Sequence, residues 1–436
     1  LTARADGAGG HAVLRRVLPS GLEVVVAPQP HLHTACVALF VGVGSRHESR
    51  AESGLSHLLE HMLFRGTARL PSAYALNHAI ESLGGTLYGA THADHTVYEV
   101  SVPPESLDEA LGLFGEIATT PVFADLAIEK GIVREEILEG VDEDGRDVDI
   151  DDVARAALFG AHALGLKITG DAESVARLGE DDLRRWHARH YVGPAAVLAV
   201  SGAVDPARVS ERVERAFAAL PGGARAFPDT PALEPGPRFR YVDSDGSQTE
   251  LRVSFFAPGE RDPDRVALEL LGRVLDDGMS TRLHRRLCDE AGLAYDVFGG
   301  LELYEDCGVF DLGATVEHAK VPRVVRELLT LCAELRDAPP TDEELDKAKR
   351  RYRWDLRATL DDAAGLAGFH GLRALLGVRE SLDEVAARVQ AVTPDQVRAV
   401  ARRVFRPEHL AVTAVGWLED AGLEREARRA ALGTLG

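Results

Sequence analysis

Leu55, Leu58, Leu59, Met62 and Leu63 recur at the three- and four-residue spacing of one helix face and predict an amphipathic helix over residues 54–65. Ser53 stands where an N-cap belongs, and Gly66 where a helix stops. The stretch "FADLAIEKGIVREEILEG" predicts a second helix, with Asp125 as its N-cap and Ile128, Ile132 and Ile137 on its apolar side. Elsewhere the period drops to two. "CVALFVGVGSRHES" and "LRVSFFAPGERDPD" each read as a strand that ends in a glycine-containing turn.

These two strands occupy matching places near the starts of the two halves of the chain. Near the ends, "DLRRWHARHYVGPAAVLAVSGAV" matches "QVRAVARRVFRPEHLAVTAVGWL", an amphipathic helix followed by a strand, with Trp186 falling on Val400 and Tyr191 on Phe405. Between the halves, Pro221 to Pro237 contains five prolines and three glycines and no apolar period, which marks a linker at residues 222–237. The expected fold class is α+β: an internal duplication gives one domain over 1–221 and a homologous one over 238–436. Each is a mixed or antiparallel sheet with helices packed on it.

Composition supports that division, since 436 residues of which 45% are hydrophobic can bury two cores. A net charge of −21 argues against nucleic acid or an anionic membrane surface as partner. No apolar run reaches the ~18 residues that a membrane span requires. Cys36, Cys288, Cys307 and Cys332 are widely spread without CxxC spacing, so neither a disulfide framework nor a cysteine-rich zinc module is expected. A cytoplasmic location is the expectation. Because the first residue is Leu1 and not Met, a removed signal peptide, and with it a periplasmic or secreted location, stays open.

The first helix carries polar groups that a core helix does not need. His57 and His61 are four residues apart, so their imidazoles share one face about a turn apart, the spacing of paired zinc ligands. Glu60, beside the second histidine, can reach a metal-bound water without being a ligand. This HxxEH pattern reverses the HExxH helix and places two ligands and a general base on one rigid element. A catalytic zinc also needs a third protein ligand and an open position. On the second helix Glu129 and Glu136 lie two turns apart on one face, and Glu135 points about a hundred degrees away.

Taken together, these motifs resemble the pitrilysin-type inverted-zincin metallopeptidases, in particular the two-domain bacterial members and the beta subunit of the mitochondrial processing peptidase. The resemblance runs from "LPSGLEVVVAPQP" to "HLAVTAVGWL". It implies that His57, His61 and Glu136 bind Zn2+, that Glu60 is the base and that Glu129 supports the site. The activity implied is zinc-dependent endopeptidase action on short or unfolded peptides, with the N-terminal domain catalytic and the C-terminal domain lacking the metal motif. In the second copy His57, Glu60 and His61 fall on Glu269, Gly272 and Arg273. A non-catalytic scaffold or binding subunit of a peptidase-like heterodimer is the alternative function.

The resemblance also implies substrate contacts, through strand addition to a sheet edge within "GGTLYGATHADHTVYEV". Tyr88, Gly89 and Ala90 are the expected contacts there, although Tyr88-Gly89 stands where relatives usually carry Asn-Ala. His92, Asp94 and His95 read as a solvated strand, with His95 on the opposite face from the other two. In "GLAYDV", Tyr295 is either a half-buried aromatic beside Leu293 or a further substrate contact. Relatives have an arginine seven residues before that tyrosine; here the position is Cys288, and Arg286, two residues away, is expected to point elsewhere. In members of the family it resembles, four such domains close a clamshell chamber; this chain supplies two, so the resemblance implies a homodimer, or a heterodimer with a related subunit.

Overall fold

In a computed structural model of the chain, residues 2–6, 11–232, 236–418 and 421–435 are described. The expected linker at 222–237 therefore lies partly outside the described residues, at 233–235. Its described part carries no helix or strand. The chain forms two compact units, each built around one sheet with helices packed on it.

In the first unit the strands are β1 (Thr2–Asp6), β2 (His11–Val17), β3 (Glu23–Pro28), β4 (Ala35–Val41), β5 (Tyr88–Thr91), β6 (Thr96–Val102) and β7 (Ala196–Gly202). Their order across the sheet is β1-β2-β3-β7-β4-β6-β5. The second unit contains β8 (Arg238–Asp243), β9 (Thr249–Pro258), β10 (Asp296–Leu303), β11 (Cys307–Val316) and β12 (Leu410–Gly416), in the order β8-β12-β9-β11-β10. Read from β3, the first sheet has the same plan: β3-β7-β4-β6-β5 matches β8-β12-β9-β11-β10. In both, the first pair is parallel and every later pair antiparallel. The positions paired by sequence coincide in packing too, because Trp186, Val400, Tyr191 and Phe405 are all buried. The expected duplicated α+β architecture is the one observed.

Central strands β4, β7 and β12 are buried along their whole length, which requires cover on both faces. On one face of the first sheet, Val37, Leu39 and Val41 pack with Leu55, Leu58, Leu59 and Met62 of the metal-motif helix. On the other, Cys36, Ala38 and Phe40 pack against the helix Ala363–Leu375. Gly371 lets that helix approach closely, since a Cβ there would lie 2.4 Å from the Phe40 ring. Burial of Leu366 and Leu375 in this contact stabilises the unit by about 2 kcal/mol each.

This packing makes the units discontinuous in sequence. The first comprises 1–137, 167–229 and 355–384; the second comprises 138–166, 230–354 and 385–436. A cut at residues 222–237 differs from these bounds by the segments 138–166 and 355–384, each of which covers the sheet of the other half. In the second unit the helix Ile150–Phe159 provides that cover: Ile150 and Val153 pack on Val415, and Arg155 pairs with Asp311 and Glu302 at 2.8 Å each. None of the four cysteines is in a disulfide. Among the described residues, no helix is long and apolar enough to cross a membrane.

Candidate metal centre

Helix α1 spans Leu55–Leu63, shorter at both ends than its apolar pattern predicts. The expected cap at Ser53 is not used. Gly54 takes the N-cap position at φ 88°, and the buried carboxylate of Glu48 accepts the backbone N–H groups of Gly54 and Ser56 at 2.8 and 2.7 Å. A buried carboxyl bonded at the helix start satisfies two orphan donors, although burial pushes its pKa up to about 8. With the leucine face of α1 buried against the sheet, His57 and His61 project from the other side, ring centroids 4.6 Å apart.

Helix α2 spans Leu126–Glu139 and packs differently from the expected isoleucine stripe. Its buried positions are Glu129, Val133 and Ile137, whereas Ile128 is 57% exposed and Ile132 is also exposed. The buried row at four-residue steps thus begins with a carboxylate, which turns the helix so that Glu129 and Glu136 both face α1. Glu135 is exposed. Asp125 starts the helix through its backbone carbonyl, which accepts from Ile128 and Glu129; its side chain bonds Arg65 and not the helix end.

The two helices bring three donors together. Glu136 Oε2 lies 3.5 Å from His57 Nε2, and Glu136 Oε1 lies 3.5 Å from His61 Nε2. One donor atom from each of the three residues fits within 4.8 Å. Bonds of about 2.0–2.2 Å at a tetrahedral angle separate neighbouring donors by roughly 3.4 Å, so this His, His, carboxylate set has the size and chemistry that a zinc ion takes. Behind it, His61 Nδ1–H donates to Glu129 Oε1 at 2.9 Å, which turns Nε2 to the Glu136 side. Burial, with the nearby His61, lowers His57 to about 4 and keeps its imidazole neutral. For His61 burial acts in the same direction but is outweighed by the Glu129 bond and by Glu136 and Glu60, so its pKa is raised.

Glu60 is 6% exposed and belongs to neither pairing. Burial pushes its carboxyl up, against His61 and against Thr91, whose Oγ1–H donates to Glu60 Oε2 at 3.0 Å. Thr91 ends β5, the edge strand of the sheet, where Tyr88, Gly89 and Ala90 also lie. Alternation puts Gly89 and Thr91 toward α1; a Cβ on Gly89 would stand 2.8 Å from Glu60 Oε1 and 2.6 Å from Phe64 Cζ. Ala90 packs on the opposite face, and strand period places the exposed Tyr88 there with it.

Other expectations on this stretch change. His92, Asp94 and His95 form the turn between β5 and β6, where His92 N–H bonds His95 O, so strand alternation does not apply. The two rings stack at 4.4 Å on the same side, with His95 bonded to Asp94 at 2.8 Å. In the second unit Tyr295 is 98% exposed, which rules out the packed aromatic beside Leu293. Arg286 turns to the helix Val321–Asp337 and pairs with Glu327 and Glu334 at 3.2 and 2.8 Å. At the positions matching the metal motif, Glu269 bonds Arg265 and Tyr352, and Arg273 bonds Asp277 while lying over the Tyr352 ring. Among the described residues, only His57, His61 and Glu136 form a metal-sized group.

Sequence reasoning missed Thr91, Arg65 and Glu48. The first two had a usable signal, since Thr91 lies two residues along the strand from Gly89 and Arg65 one turn beyond His61.

Residues 23–171 match the family described as Insulinase (Peptidase family M16), and residues 177–352 match the domain described as Peptidase M16 inactive domain. An uncharacterized zinc protease of Streptomyces coelicolor is 32% identical over 431 residues, covering 95% of this chain and 91% of that protein. A probable mitochondrial-processing peptidase subunit beta of Arabidopsis thaliana is 27% identical over 427 residues, covering 92% of this chain and 78% of that one. The crystal structure of a protease from Helicobacter pylori superposes with a TM-score of 0.85 at 22% identity, covering 93% of this chain and 99% of that one. In motif, topology and length of match, this chain belongs to the insulinase family of peptidases, M16.

Proposed function

We propose that the chain is a zinc-dependent endopeptidase that hydrolyses peptide bonds in short or unfolded peptides. One observation carries this reading: donor atoms of His57, His61 and Glu136 fall within 4.8 Å of one another, beside a buried Glu60 and an edge strand. Zinc held by these residues supplies polarisation of the scissile carbonyl and acidification of water. Glu60 takes the proton of the attacking water and passes it to the leaving amine, oriented meanwhile by the Thr91 hydroxyl. The substrate adds as a strand to the outer edge of β5, where main-chain bonds favour extended peptides over folded proteins. Relatives named as zinc proteases support the same activity.

A non-catalytic binding subunit is the alternative, and the intact donor set speaks against it. For assembly, we infer a dimer with a second copy or a related subunit. Position 288 is a cysteine and Arg286 is committed to Glu327 and Glu334, so Tyr295 has no arginine supplied from either position. Metal analysis combined with cleavage of unfolded peptides tests the activity. Activity of the chain alone, unchanged by Cys288→Arg, would remove the need for a different subunit.

A further inference from the structure

The carboxylate of Glu129 has two oxygens with separate tasks. Oε1 accepts from His61 Nδ1 at 2.9 Å, and Oε2 lies 3.3 Å from Arg65 Nη1. The other fork of the guanidinium, Nη2, donates to Asp125 Oδ2 at 2.8 Å. This is not a loose surface pair: the Arg65 and Glu129 side chains are only 17% and 8% exposed. Arg65 follows the C-terminus of α1, and Asp125 precedes α2, so the guanidinium ties the end of one metal-bearing helix to the start of the other. Asp125 meanwhile holds φ 57°, a left-handed conformation that a non-glycine residue adopts at a cost of about 1–2 kcal/mol. That backbone places its carbonyl at the helix start and its carboxylate on Arg65.

We propose that Arg65 is a positioning residue of the metal centre: by clamping Glu129 between itself and His61, it fixes the imidazole with Nε2 toward Glu136. The inference rests on the zinc reading above. Without the clamp, the freed Glu129 oxygen has no partner in a largely buried place, and the carboxylate can turn away from His61. Lysine keeps the charge but has no planar fork to hold two carboxylates at once.

Two physical effects of Arg65 oppose each other, which makes the test sharp. As a positive charge it repels a dication, so electrostatics alone gives tighter zinc binding when it is removed. As a positioning group it orders a ligand, and substitutions of such outer partners weaken metal binding by about 10–100-fold. Zinc affinity is measured by chelator competition for wild type, Arg65→Met, Arg65→Lys, Glu129→Gln and the Arg65→Met/Glu129→Gln pair, with the thermal midpoint of each metal-free protein as the control for folding. The expected result is a loss of about 10-fold in Arg65→Met, partial recovery in Arg65→Lys, and little further loss when Arg65→Met is added to Glu129→Gln. Unchanged or tighter zinc in Arg65→Met overturns the proposal, as does an equal loss in the Glu129→Gln background. Absence of zinc binding by the wild type would overturn the zinc reading itself, and this proposal with it.

Discussion

Glu129 Oε1 sits 2.9 Å from Nδ1 of His61, while the opposite nitrogen of the same ring faces Glu136 at 3.5 Å. One imidazole is thus held between two carboxylates from one helix, the outer one orienting and the inner one placed to share a metal. The neighbouring Glu135 is exposed and takes no part.

That geometry ranks three substitutions. Glu136→Gln replaces an anionic donor by a neutral amide with a single oxygen and is expected to weaken zinc most. Glu129→Gln keeps the donors but loosens the ring, for a loss of about 10–100-fold. Glu135→Gln is expected to change affinity less than twofold. Chelator competition on the three variants reads the order; zinc loss in Glu135→Gln with zinc retained in Glu136→Gln would mean that α2 is turned the other way.

Gly89 offers a test of the edge strand. An alanine Cβ there meets Glu60 Oε1 at 2.8 Å and Phe64 Cζ at 2.6 Å, so the carboxylate or the ring must shift. Because small misplacements of a reacting group are costly, Gly89→Ala is expected to lower kcat by roughly 10-fold with zinc content unchanged. Adding Phe64→Leu, which opens space for the methyl group, should restore part of the rate. Wild-type turnover in Gly89→Ala would show that Glu60 is not confined as described.

Acid stability follows from buried histidines outside the metal centre. Burial lowers His47 and His187 to about 4, and His190 and His370 to about 3. In the unfolded chain each titrates near 6.5, so between pH 6.5 and 4 the unfolded state binds more protons and stability falls as pH falls. At pH 5 each group costs about 2 kcal/mol relative to pH 8. Urea unfolding of metal-free protein across this range is expected to show a steep loss. His370→Leu should flatten the slope by about one proton, or ~1.4 kcal/mol per pH unit. An unaltered slope would place His370 in contact with water.

What the sequence made legible was what is local or repeated. The α1 spacing of His57, Glu60 and His61 and the shared face of Glu129 and Glu136 are properties of single helices, and the matched strands of the two halves reproduce as one topology. Tertiary choices were not legible. An apolar stripe shows that the helix Ala363–Leu375 covers a sheet, but not that the sheet belongs to the other half. Ile128 and Ile132 outweigh Glu129 in any apolar pattern, yet the bond to His61 turns Glu129 inward. Ser53 has the right chemistry for a cap, but the Glu48 carboxyl reaches the helix-start donors from an adjacent turn and accepts from two of them at once. His92 and His95 lie in a tight turn, where a period of two has no meaning.

Turnover of an unfolded peptide by wild type and Glu60→Gln, each with its zinc content measured, decides whether Glu60 is the base of a zinc peptidase. Glutamine keeps the shape of Glu60 and the Thr91 contact but cannot take the proton of water. The expected result is about one zinc per chain in both proteins, internal cleavage by the wild type, and a rate at least ~100-fold lower in Glu60→Gln. Equal turnover by the two zinc-loaded proteins would rule out Glu60 as the base, and none by the zinc-loaded wild type would rule out the peptidase.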